Sequence, residues 1–184
     1  MTDVLITYAS THGHTAKICT ALETEMVSEG LTVDLKNVRT DPARNPGEYG
    51  GIVVAASIHK DEHQKEMVEW VDAHMVELVS RPNAFISVSL TAAEDSEEAR
   101  EATRVCVEHF VRETGWRPKR TETVAGALQY REYDPFTRIM MRLLMKRGGH
   151  PTDTSHDHDF TDWDAVKRLG RELAAGFDAP VVAT

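Results

Sequence analysis

The stretch Ile6–Thr15 reads ITYASTHGHT, an apolar run that ends in Ser10, Thr11, His12, Gly13, His14 and Thr15. Val4–Ala9 is nearly continuously apolar, the pattern of a strand buried on both faces of a parallel sheet. Beyond the turn, Ile18, Ala21, Leu22 and Met26 recur at spacings of three and four, and Gly30 supplies the left-handed residue that ends a helix. A strand, a hydroxyl-rich turn and a helix place Ser10–Thr15 at the carboxyl edge of a doubly wound sheet, where such sheets bind ligands. Backbone amides at a positive helix end favour an anion there. Ser10, Thr11 and Thr15 offer hydroxyl donors, and Gly13 lets the backbone approach closely. The loop has neither the lysine of a nucleotide P-loop nor the glycines of G-x-G-x-x-G, so it suits a phosphate held for anchorage.

Working outward, Leu31–Val38 alternates and predicts a second strand, Arg39–Gly51 is a polar, proline-bearing loop, and Ile52–Ile58 is a third buried strand. One helix is expected over 62–79, with Met67, Trp70, Val71 and Leu78 on one side. Ala84–Leu90 is the fourth strand, and 96–114 a helix with Val105, Val107, Phe110 and Val111 among its apolar positions. Thr123–Leu128 is the fifth strand, and 162–177 a last helix capped by Thr161 or Asp162. This alternation predicts an α/β fold with right-handed crossovers: a doubly wound five-stranded parallel sheet forming a single domain over 1–184. Gln129–Phe160 is a long insertion between strand five and the last helix, where a connection is normally a few residues.

Composition narrows the function classes. A chain of 184 residues with 41% hydrophobic content is long enough for one sizeable core, and 21 basic against 30 acidic residues leave a net charge of −9, which argues against nucleic acid as a partner. The apolar run near Met1 is too short for a signal core or a membrane span, so a cytoplasmic location is expected. Cys19 and Cys106 each sit in a helical pattern and read as buried small hydrophobes. His150, His156 and His158 include an H-x-H pair, but no third ligand stands at a matching spacing, and no metal is expected. No G-x-S-x-G elbow is present.

Two further segments leave buried strands at the edge of the phosphate loop. AASIHKDEH (55–63) and SVSLTAAED (87–95) turn into small and polar residues, so a planar ring can lie between Ser57, Ile58 and His59 on one side and Leu90, Thr91 and Ala92 on the other. Backbone groups there can bond the edge of a ring system and tune its chemistry. His59 and His63 are the planar side chains at hand; the competing reading makes them solvated loop histidines.

ASI with a following histidine (56–59), AFISVSL (84–90), GWRP (115–118), AGALQYREYDPFTRIMMRLLMKRGG (125–149), TDT (152–154) and TDW (161–163) occur in order over essentially the whole chain. Together they resemble the flavodoxin-type, quinone-dependent protoporphyrinogen IX dehydrogenase family. Departures from that pattern fall in 59–63 and 91–104. The resemblance implies a flavodoxin-like fold and FMN with its phosphate on Ser10–Thr15. It also implies oxidation of protoporphyrinogen IX, or a related tetrapyrrole, to the porphyrin in haem biosynthesis, with electrons passed to a membrane quinone. Two other readings stand beside it, an NAD(P)H-dependent quinone reductase and an electron-carrier flavodoxin. Carriers of this fold typically cushion the flavin with Trp or Tyr, and neither ring loop has one.

Within the insertion, Phe136, Ile139, Met140, Leu143 and Leu144 form an apolar arc, while Arg138, Arg142 and Lys146 fall on a strip at spacings of four. Residues 130–149 hold five basic and two acidic side chains in an otherwise acidic chain. Such a helix can offer its cations to tetrapyrrole propionates, or can lie through 135–147 on the inner face of the cell membrane, where a quinone is met. The apolar arc equally suits packing on its own domain or across a homo-oligomer.

Overall fold

The computed structural model of the chain describes residues 3–41, 45–128 and 157–178; Arg138, Arg142, Lys146, His150 and His156 lie outside them. In chain order the elements are β1 (Asp3–Ala9), α1 (His14–Ser28), β2 (Thr32–Asn37), β3 (Gly51–His59) and β4 (Glu62–His63). After these come α2 (Lys65–Ala73), α3 (Met75–Ser80), β5 (Asn83–Ser89), α4 (Glu97–Thr114), β6 (Arg120–Ala125), β7 (Ala127–Leu128), β8 (His158–Asp159) and α5 (Trp163–Asp178).

Strands β2, β1, β3, β5 and β6 pair in that order, all parallel. The chain leaves β1 in one direction to form β2 and returns on the other side as β3, which makes the β1/β3 junction the topological switch point. Side chains alternate across the sheet. Val4 and Ile6 pack with Ile18, Leu22 and Met26 of α1 and with Val166, Leu169 and Leu173 of α5. On the other face Leu5, Ile52 and Val54 meet Met67, Trp70, Val71, Leu78, Phe110 and Trp116. Phe85 and Phe110 stack with centroids 4.5 Å apart and planes inclined by 8°. Each large side chain buried this way contributes roughly 1.5–3 kcal/mol. Cys19 and Cys106 are both buried within these layers.

Three details differ from the sequence expectation. The helix expected over 62–79 opens with the short strand β4, antiparallel to the end of β3, and breaks at His74 into α2 and α3. No glycine or proline marks that break; His74, with φ −123°, packs its ring 4.7 Å from Trp70. The buried stripe of α4 runs Ala99, Thr103, Cys106, Phe110 and Thr114, while Val105 is 45% exposed. Thr103 and Thr114 can be buried because their hydroxyls donate to the carbonyls of Ala99 and Phe110, at 2.9 and 2.8 Å. The fifth strand begins three residues earlier than Thr123. Its first half is polar because β6 is a sheet edge, and Arg120 spans Glu122 and Glu172 there at 2.8 and 2.6 Å. Leu128 belongs instead to β7, which pairs antiparallel with β8 and brings the flanks of 129–156 side by side.

Helix α5 packs along α1 at close range. A Cβ on Gly170 would lie 2.8 Å from Glu25 Cβ and 3.3 Å from the Leu22 carbonyl oxygen. Among the described residues no helix is long and apolar enough to cross a membrane.

Candidate functional site

The carboxyl ends of β1, β3 and β5 lie side by side, so the loops that follow them share one edge. Ser10–Gly13 connects β1 to α1. Gly13, with φ +83°, occupies the left-handed region at the helix entry, and its amide donates to Ser10 Oγ at 2.9 Å. Thr11 is exposed, Ser10 and His12 are half-buried, and Thr15 is buried. No acidic side chain stands in the first turn of α1, so nothing there opposes an anion at the helix end.

At the end of β3 the Gln64 side chain holds the edge together. Its Oε1 accepts the Ser57 amide at 2.9 Å, and its Nε2 donates to Ser57 Oγ and, at 3.5 Å, to the Ala9 carbonyl. One side chain thus ties β1 to β3 at the switch point. Ser57 Oγ lies 3.1 Å from His59 Nε2, and the His59 ring stands edge-on to His12 with centroids 6.1 Å apart. Burial, reinforced by His12, holds the His59 pKa below its usual value. Lys60 and Asp61 both have positive φ, 53° and 66°, and form the two-residue turn from β3 into β4. Left-handed backbone at two side-chain-bearing residues matches the twist of a tight hairpin and costs of order 1 kcal/mol each.

His63 departs from both readings of the sequence. It is neither a ring-side planar group nor a solvated loop residue, because alternation on β4 turns Glu62 outward and His63 inward. The His63 ring packs 5.2 Å from Phe85 and 5.0 Å from Phe110, and burial pushes its pKa down to about 4.

After β5, Leu90 leads into a single turn over Thr91–Ala93, in which the Ala92 amide donates to Ser89 Oγ at 3.1 Å. Leu90, Thr91 and Ala92 are half-buried. The loops after β1 and β5 are separated by two strand spacings, about 10 Å, which is room for a planar ring over the end of β3.

The His14 side chain reaches the segment that precedes α5. Its Nε2 lies 2.7 Å from Thr161 Oγ1 and 3.7 Å from Asp159 Oδ1, and its ring is edge-on to Trp163 at 5.9 Å. Burial lowers the His14 pKa against the pull of Asp159. Asp159 accepts the Thr161 amide and the Trp163 indole N–H, both at 3.0 Å. Desolvation opposes its charge, yet those bonds and His14 hold its carboxyl below the ordinary range. Asp162 caps α5 by accepting the Ala165 amide at 2.9 Å. Gln64 and Asp159 carry no sequence signal as site residues, and Thr161 shows only as a cap candidate and as the first residue of TDW. His158 pairs with Leu128 in the β7–β8 ladder and stacks on Phe160 at 6.5 Å.

A flavodoxin domain family matches residues 5–155. A relative from Escherichia coli K12, "Protoporphyrinogen IX dehydrogenase [quinone]", is 33% identical over 97% of this chain and 98% of its own length. A protein of that name from Leishmania major is 31% identical over 93% of this chain and 74% of its own. Among solved structures, flavodoxin 1 from Bacillus cereus superposes with a TM-score of 0.56 at 13% identity, covering 94% of this chain and 97% of its own. An archaeal flavodoxin gives 0.54 at 17%, covering 96% and 99%. At those identities the structures speak to the fold alone.

Proposed function

The chain belongs to the protoporphyrinogen IX dehydrogenase family of oxidoreductases built on a flavodoxin domain, and from that premise we propose that it uses FMN to oxidise protoporphyrinogen IX to protoporphyrin IX, with a quinone as acceptor. The observation that carries the proposal is the convergence of Ser10–Thr15, Ser57–His59 and Leu90–Ala92 on one sheet edge at the β1/β3 switch point.

The residues present fit FMN. A turn with Gly13 in the left-handed region, hydroxyls at Ser10, Thr11 and Thr15 and no acid in the first turn of α1 suits one terminal phosphate. When bound, FMN supplies the electron acceptor for the tetrapyrrole and the donor for the quinone. Everything else is done by the chain. Ser10 and Thr15 donate to phosphate oxygens, and the backbone at Ser57–His59 and Leu90–Ala92 bonds the ring edge. Gln64 keeps the ends of β1 and β3 in register, so the phosphate and ring subsites hold a fixed separation. Arg138, Arg142 and Lys146, outside the described residues, are assigned to substrate propionates or to an anionic membrane surface, which would place the protein peripherally on the inner face of the cell membrane.

The test is an anaerobic assay of the FMN-loaded protein with protoporphyrinogen IX and a soluble quinone. Porphyrin fluorescence should grow only when quinone is present. Its absence, with quinone reduced rapidly by NADH or NADPH instead, would replace this reading by a nicotinamide-dependent quinone reductase.

A further inference from the structure

His14 is the first residue of α1, beside Gly13 and Thr15, whereas Thr161 lies 147 residues further along the chain, just before α5. Thr161 Oγ1 carries one hydrogen. The Ala125 carbonyl, 2.7 Å away, can only accept, so that hydrogen points at Ala125. His14 Nε2, also 2.7 Å from Thr161 Oγ1, must therefore carry its own proton and donate it to the hydroxyl oxygen.

Asp159 holds Thr161 from the other side. Its Oδ1 accepts the Thr161 amide at 3.0 Å and its Oδ2 accepts the Trp163 indole at 3.0 Å, while the Trp163 ring closes over the imidazole. One hydroxyl thereby joins the end of β6, the start of α5 and the first residue of the helix that follows the phosphate loop.

We propose that Thr161, acting through His14, is a positioning residue that holds the first turn of α1 in the arrangement that accepts the FMN phosphate. Gly13 gives the loop backbone freedom, and an anchor one residue later removes it before the ligand arrives, so less ordering remains for binding to supply. By reciprocity, phosphate in the loop steadies residues 157–163. The inference rests on the proposal that FMN occupies this loop.

The test compares full-length wild-type protein, Thr161→Val and Thr161→Ser by FMN fluorescence titration, alongside thermal melts of the FMN-free proteins. Valine keeps the shape but leaves both the imidazole N–H and the Ala125 carbonyl unpaired, and should weaken FMN about tenfold or more. Serine keeps the hydroxyl and should bring the affinity back to within about threefold of wild type. A Thr161→Val protein that folds and binds FMN like wild type overturns the inference while leaving FMN binding intact; wild-type protein that takes up no FMN overturns the functional proposal itself. Should Thr161→Val fail to fold, hydrogen exchange on wild type decides: FMN should slow exchange at 157–163 as well as at 10–17. Protection confined to 10–17 overturns the inference.

Discussion

His63 Nε2 lies 3.0 Å from Ser87 Oγ, two strand ends away from the Ser10–Gly13 turn, with the imidazole held between Phe85 and Phe110. The pair closes the core directly under the turn formed by Lys60 and Asp61. A histidine there must be neutral, because its Nδ1 has no hydrogen-bond partner and its surroundings are aromatic.

Burial depresses the folded pKa of His63 to about 4, against a reference near 6.5. Above that reference neither state takes the proton and the full stability is present. As pH falls from 6.5 toward 4 the unfolded chain binds a proton that the folded chain refuses, so stability drops by up to about 1.4 kcal/mol per pH unit, on the order of 3 kcal/mol in all. Urea unfolding at about pH 7.5 and about pH 5 should show about 2 kcal/mol of that loss in wild type and a smaller one in His63→Gln. Equal losses in the two proteins would show that His63 does not titrate as described.

The phosphate loop is tested by changing Ser10→Ala and Thr15→Ala together. Hydrogen bonds to a charged group contribute roughly 1.5–3 kcal/mol each, so FMN should bind more weakly by several kcal/mol at most, with riboflavin much less affected. An unchanged FMN affinity would put the phosphate elsewhere.

Two glycines of α5 should respond in opposite directions. Gly170→Ala puts a methyl group 2.8 Å from Glu25 Cβ and should destabilise the protein by roughly 1–3 kcal/mol by forcing α5 off α1. A Cβ on Gly176 meets nothing within 4 Å, and Gly176→Ala should stabilise the helix by up to roughly 1 kcal/mol. Denaturant midpoints measure both, and a neutral Gly170→Ala would mean the helices can separate freely.

Much of this was legible from local patterns. Strands buried on both faces, such as β1 and β3, announce themselves as apolar runs, and the turn at Ser10–Gly13 follows from its place between a strand and a helix. What was hidden depends on contacts between distant residues. Lys60 and Asp61 lack the glycine or asparagine that usually marks a left-handed two-residue turn, so the helical pattern over 62–79 runs through β4 and hides the inward face of His63. Thr103 and Thr114 are buried polar side chains that become intelligible only through their back-bonds to α4 carbonyls. The contact between His14 and Thr161 is invisible in the sequence because the two residues lie on either side of the insertion.

The insertion should separate substrate or membrane engagement from flavin binding. Reversing Arg138, Arg142 and Lys146 to Glu keeps helix-forming residues and inverts the charge. FMN binding should survive, while either protoporphyrinogen turnover or vesicle binding falls: loss of turnover at any salt assigns the strip to the substrate, and loss of vesicle binding with soluble-acceptor turnover intact assigns it to the membrane. Retention of all three activities would make the strip a solvated surface.

The most direct test is the reductive half-reaction alone. FMN-loaded protein is mixed anaerobically with protoporphyrinogen IX, NADH or NADPH, with no quinone present, while the visible absorption of the oxidised flavin is followed. Rapid bleaching by protoporphyrinogen IX, with slow or no bleaching by either nicotinamide, is the predicted result; bleaching by a nicotinamide with none by protoporphyrinogen IX would contradict it.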